Sequence, residues 1–97
     1  MLTHIVCWKY KAEINETERE NHRAELRKLP GVIPNITSFS VGADILHLER
    51  SFDTGLVAVY PDRAALDFYT DHEAHQKVVA IGRQIAEKVI SVDFLSD

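Results

Sequence analysis

The opening stretch MLTHIVCWKY alternates so that His4, Val6, Trp8 and Tyr10 fall on one face of an extended chain and Ile5, Cys7 and Lys9 on the other. The pattern predicts a strand over residues 2–10. Both of its faces are largely apolar and require cover, yet the helices of a small domain usually cover one face of a sheet only. Something else must cover the second face. In NETERENHRAELRKL the period changes: Asn15 caps, Glu18 answers it three residues later, and strong helix formers follow until PGVIP stops the run. The apolar stripe of this first helix is thin, Leu26 and Leu29 with His22 and Ala24 nearby, which predicts a surface helix. Arg19, Arg23 and Arg27, four apart among glutamates, read as its solvated face.

Alternation returns in NITSFSVGAD, where Ile36, Ser38 and Ser40 oppose Thr37, Phe39 and Val41 and the strand closes on Gly42. ILHLERSFD then predicts a long loop with Leu46, Leu48 and Phe52 buried and His47 solvated, and TGLVAVY is a third strand. Pro61 suits the first turn of a helix, Asp62 suits its dipole, and PDRAALDFY supplies the helix itself. Thr70 with Glu73 forms a second capping-box pattern that restarts the helix, which continues through HQKVVAIGRQIAEKV on a stripe of Val78, Ile81, Ile85 and Val89. ISVDFL is the last strand. The order is β-α-β-β-α-β with the second helix broken once, an α+β chain of the ferredoxin-like pattern with an antiparallel sheet and its helices on one face. Without a linker or internal repeat, residues 1–97 form one domain. The uncovered apolar face predicts a homodimer in which two sheets pack together as a dimeric α+β barrel.

An apolar fraction of 45% and a charged fraction of 27% are ordinary globular values, which excludes disorder and fibrous repeats. A net charge of −4 without a clustered basic face argues against nucleic acid, and there is no polybasic run for anionic lipid. No apolar run approaches the roughly 20 residues of a membrane span, and the opening lacks a basic leader, so a cytoplasmic protein is expected. The single cysteine cannot form an internal disulfide, and Cys7 reads as an inert core thiol. With no glycine-rich phosphate loop, serine elbow or nucleotide fingerprint, no cofactor is expected.

Chemistry concentrates in FYTDHEAHQKVV, where His72 and His75 would lie in the opening turns of a helix. There the helix dipole disfavours imidazolium and leaves neutral rings able to accept a proton, as a general base must. Tyr69, just before the break, would turn its hydroxyl toward His75 and hold a substrate oxygen; an aldol-type ring closure needs such a base and such a donor. The plainer alternative makes His72 a backbone contact at the helix junction and Tyr69 a core residue. His4 on the first strand would approach His75 and His22, but the histidine spacing matches no metal signature, and no metal site is expected. Trp8 reads as core filling, with stacking on a ligand as the alternative.

HIVCWKYK, LPGVIPNITSFSVG, FDTGLVAVYPDRAALDFY, the HEAH segment and VISVDF together resemble the stress-responsive A/B barrel (Dabb) family, in order and spacing, over nearly the whole chain. The resemblance implies a ferredoxin-like subunit in a homodimer. Most members of the family have no assigned chemistry; one branch, similar to the plant olivetolic acid cyclase, closes a polyketide ring in the cavity between sheet and helices. Carried over by position, that branch's catalytic histidine falls on His75, its partnering tyrosine on Tyr69, its other motif histidine on His72 and a first-strand pocket histidine on His4. Two departures stand out. Glu73 replaces the family's usual proline and adds a carboxylate near the histidines, and the first helix offers His22, Arg23 and Leu26 where the cyclase has aromatics, which disfavours a long apolar tail. The expected function is therefore binding of a small, partly polar molecule near His4, Trp8, His22, Tyr69, His72 and His75. The alternative is a polyketide-cyclase-like or lyase enzyme, with His75 as base and Tyr69 as oxygen anchor.

Overall fold

A computed structural model of the protein describes residues 1–96. In chain order the elements are β1 (Leu2–Tyr10), α1 (Glu16–Arg27), a 3-10 turn (Leu29–Gly31), β2 (Ser38–Ala43), β3 (Thr54–Tyr60), α2 (Arg63–Asp71), α3 (Glu73–Ile85) and β4 (Ala86–Leu95). The strands form one antiparallel sheet in the order β2-β3-β1-β4, the ferredoxin-like arrangement. Register places Ala58 and Asp93 opposite His4, Leu56 and Ser91 opposite Val6, and Thr54 and Val89 opposite Trp8. Residues directly opposite share a face. One face thus carries Leu2, Val6, Trp8, Tyr10, Leu56, Ala58 and Tyr60, which are buried in the same core as Leu26, Leu66, Tyr69, Val78 and Ile85 from the helices. The other carries Ile5, Cys7, Val57, Val59, Ile90, Val92 and Phe94. It is open: Val57, Val92 and Phe94 are 43%, 52% and 43% exposed. Cys7 is a half-buried residue of this open face and not a core thiol.

Helix α1 begins with both halves of a capping box, Asn15 Oδ1 accepting from the Glu18 N–H at 2.8 Å and Glu18 returning to the Asn15 N–H. Elsewhere the boundaries depart from the sequence pattern. Thr70 does not cap α3. Its hydroxyl donates to the Leu66 carbonyl one turn back at 2.9 Å, and the cap is His72, whose Nδ1 accepts from the Ala74 N–H at 3.0 Å. Asp62, not Pro61, opens α2, accepting from the Ala65 N–H at 2.9 Å. Helix α3 stops at Ile85, and Val89 belongs to β4, because residues 86–95 gain a nine-residue ladder with β1 that outweighs the helix propensity of AEK. The 44–53 loop turns outward: Leu46 and Leu48 are exposed and Phe52 is half-buried. Its own polar groups hold it there, the Asp44 carboxylate on the His47 N–H at 2.7 Å and the Ser51 hydroxyl on the Leu48 N–H at 3.1 Å. His47 takes the left-handed backbone, at φ 53°.

Arg23 is the largest departure on α1. Only 2% exposed, it is buried and not solvated, with Nη1 donating to Thr54 Oγ1 at 3.1 Å, Nε to Glu20 at 2.9 Å and Nη2 to Glu16. An arginine tolerates burial when its donors are matched, and here Thr54 and two carboxylates at the surface meet three of its five N–H groups.

Candidate active site

A cavity of about 310 Å³ lies between the helix-covered face of the sheet and helices α1 and α3. Volumes of this order suit one small molecule. Its walls include Val6, Leu26, Leu56 and Val78, and polar groups gather toward its two ends.

At one end stands His75. Thr70 lies in the last turn of α2, where the break before α3 leaves its carbonyl without the usual helical partner, and His75 Nδ1 lies 3.0 Å from that oxygen. A carbonyl only accepts, so Nδ1 carries the proton and Nε2 keeps a free lone pair. Burial holds the His75 pKa below its usual value against the opposing Thr70 contact, and the neighbouring His4 and His72 push it the same way. His75 is therefore a neutral imidazole at physiological pH. Tyr69 packs its ring on His75, with centroids 4.3 Å apart and planes at 40°. The contact is between ring faces; the hydroxyl is not hydrogen-bonded to the imidazole as the sequence predicted. Burial raises the Tyr69 pKa to about 12, so the phenol remains a donor.

His4 projects from β1 with its ring centroid 6.2 Å from that of Tyr69, and its Nδ1 is hydrogen-bonded to the Asp93 carboxylate of β4. A carboxylate only accepts, which again places a proton on Nδ1, and no contact engages Nε2 among the described residues. Sequence inspection missed Asp93. The only signal for it is strand register, since Asp93 faces His4 across the β1–β4 ladder. Tyr60 was missed for the same reason: it packs on Tyr69 at 5.4 Å, and its hydroxyl is buried without a hydrogen-bond partner among the described residues. Burial raises its pKa, with Tyr69 and Asp93 adding to the shift.

The other end holds Trp8, His22 and Gly82. The Tyr10 hydroxyl donates to Thr54 Oγ1 at 2.8 Å and lies 2.7 Å from His22 Nδ1, while the Trp8 ring meets His22 edge-on at 5.0 Å. Burial, with Arg23 adding to it, lowers the His22 pKa to about 4.

Of the residues singled out from sequence, His4, Trp8, His22, Tyr69 and His75 all line this cavity. His72 does not. Its Nδ1 is committed to the α3 cap, and its ring lies against Phe68 at 5.7 Å. Glu73 is likewise outside, its carboxylate at the surface 3.6 Å from Lys77. Among the described residues no three histidine, cysteine or acidic side chains are grouped to hold a metal ion, and no helix is long and apolar enough to cross a membrane.

The stress-responsive A/B barrel domain profile matches residues 2–96. The chain belongs to this family. Solved structures agree with the fold. A dimeric ferredoxin-like protein of unknown function from Thermobifida fusca YX superposes with a TM-score of 0.89 at 24% identity, covering 98% of this chain and 90% of its own. A Dabb family protein from Mesorhizobium loti gives 0.82 at 22% identity, covering 98% and 95%. The hydroxynitrile lyase of Passiflora edulis gives 0.88 at 14% identity, covering 99% and 93%. No curated protein matches the sequence.

Proposed function

We propose that this Dabb protein is a homodimer that binds a small, mostly apolar, partly polar molecule in the cavity between sheet and helices, with a carbonyl group at the His4–His75 end whose oxygen accepts from the Tyr69 hydroxyl while the imidazole lone pairs face the acidic hydrogens beside it. The observation that carries the reading is the pair of imidazoles at that end. Each has its Nδ1 proton engaged, His75 by the Thr70 carbonyl and His4 by Asp93, so each offers a free Nε2 beside a buried tyrosine. Half-buried histidines with one nitrogen committed and the other open to a cleft mark a site where a polar or acidic group is met. For the dimer, the support is the open apolar face of the sheet together with similar structures described as dimeric.

A second reading, a cyclase-like or lyase enzyme, is favoured by the lowered pKa of His75. A neutral Nε2 can take a proton from carbon next to the carbonyl, while a protonated tyrosine, Tyr69, donates to the oxygen on which charge develops; the proton then returns from Nε2 to the product. The lyase of similar fold lends nothing to this by itself, because one fold hosts many chemistries.

The test uses 4-phenyl-2-butanone. Wild-type protein should bind it, its ketone oxygen accepting from the Tyr69 hydroxyl, and His75→Ala should weaken binding by about fivefold through the packing lost beside the ligand. In heavy water the wild type should also speed deuterium exchange at the carbons beside the carbonyl, with a rate that falls as pH drops through the His75 titration. Exchange no faster than in buffer rejects the enzyme; absence of binding rejects the site.

A further inference from the structure

The Trp8–His22 end of the cavity is built from parts that the carbonyl end does not explain. Trp8 is 9% exposed and His22 1%, yet among the described residues neither the Trp8 Nε1–H nor His22 Nε2 has a hydrogen-bond partner. Both residues line the cavity, and both nitrogens lie beside Gly82, which lines it too.

The proton on His22 is fixed from behind. The single Tyr10 hydroxyl proton goes to Thr54 Oγ1, which also accepts from Arg23, so the Tyr10 oxygen is the acceptor for His22 Nδ1–H. Nε2 is left as a lone pair, and burial keeps it unprotonated. Gly82 keeps the two nitrogens open. A Cβ there would lie 3.3 Å from His22 Nε2 and 3.4 Å from Trp8 Nε1, which explains a glycine inside a helix that any other residue would stabilise. The cavity therefore ends in one donor and one acceptor side by side, both neutral and both unmatched.

We propose that this pair is a hydroxyl-recognition subsite, in which an alcohol or phenol oxygen accepts from Trp8 Nε1–H and donates its own hydrogen to His22 Nε2. The inference rests on the cavity being a ligand site and sharpens it by naming the far end of the ligand. A carboxylate is disfavoured, because its lone pairs would meet that of His22. An ammonium group is disfavoured too, because the indole presents only a donor and Arg23 lies behind. The spacing sets the length of the ligand. Trp8 lies four residues from His4 along β1, about 13 Å, and Gly82 seven residues from His75 along α3, about 10 Å, with Val6, Leu56 and Val78 between the two ends. The matching ligand is an uncharged molecule with an apolar body on the order of 10 Å long, a hydroxyl at one end and a carbonyl at the other.

Trp8 is the only tryptophan in the chain, so its indole resonance in nitrogen-15 labelled protein reports on this end directly. The probes are 4-ethylphenol, 4-ethylanisole and 4-ethylbenzoate, none of which carries a ketone. The phenol should bind about five- to tenfold more tightly than the anisole, which lacks the proton for His22, and it should move the indole N–H resonance downfield. His22→Phe should erase the preference. Gly82→Ala, which touches the site without removing a hydrogen bond from the core, should reduce phenol binding at least as strongly. Equal affinity for phenol and anisole, preference for the benzoate, an unmoved indole resonance or no binding of any probe would each overturn the subsite. Adding 4-(4-hydroxyphenyl)-2-butanone separates this from the function proposed above. A ligand whose affinity depends on His22 but not on His75 keeps the hydroxyl subsite and removes the carbonyl one, and the converse removes only the hydroxyl subsite.

Discussion

His22 couples the cavity to the stability of the fold. It is packed among Trp8, Tyr10 and Arg23, with Thr54 behind Tyr10 and Glu16 and Glu20 on the far side of Arg23. Its folded pKa, lowered to about 4 first by burial and then by Arg23, lies below the value of about 6.5 expected when unfolded. Above that upper value both states are neutral at this ring. As pH falls through the window between the two values, the unfolded chain binds a proton that the folded chain refuses, so stability is lost with acidification. His75, whose pKa is also lowered, contributes with the same sign. Urea unfolding should show wild type losing about 2 kcal/mol more than His22→Gln between pH 7 and pH 5. Identical pH slopes in the two proteins would mean that His22 titrates normally.

The break between α2 and α3 shows one element boundary making a site. The sequence marks the place, since TDHEAH interrupts an otherwise continuous amphipathic run, but it does not say which residue caps the new helix. Thr70, Asp71 and His72 all precede Glu73, and which of them turns extended is decided by how α2 and α3 pack on the sheet; His72 takes φ −64° and ψ 138°. With His72 in that role, the Thr70 carbonyl is freed to accept from His75 Nδ1 and, at 2.7 Å, from Gln76 Nε2. One histidine thus holds the turn that positions the other. His72→Ala should cost about 1 kcal/mol, the usual worth of a cap, and lower the melting temperature by roughly 4–8 °C. Affinity for 4-phenyl-2-butanone should remain within about twofold, since the loss is local to the cap. A tenfold loss of affinity without a change in melting temperature would put His72 back among the ligand contacts.

At the scale of the molecule, the open face of the sheet is the surface we assign to the dimer, and a lysine placed on it would have to be buried unpaired. Val92→Lys should convert the dimer to a folded monomer in sedimentation at micromolar concentration, with the far-ultraviolet circular dichroism unchanged. A persistent dimer would move the interface elsewhere. The apolar second face was already legible in the first strand, where Ile5 and Cys7 oppose Val6 and Trp8, because period-two alternation depends only on backbone geometry and local composition. The same local rules fixed β1 and β3, the capping box of α1, the β-α-β-β-α-β order and the family resemblance. What they could not supply were relations between residues far apart in the chain. Burial of Arg23 depends on Thr54 arriving from β3, the transfer of Val89 from helix to strand depends on the β1–β4 ladder, and the pairing of His4 with Asp93 depends on the register of that ladder. From sequence alone, His4 was expected to approach His75 and His22 alike. Only the packed sheet and helices put them at one end of a cavity and left Trp8 and His22 unmatched at the other, because hydrogen-bond satisfaction of a buried group is a property of its whole surroundings.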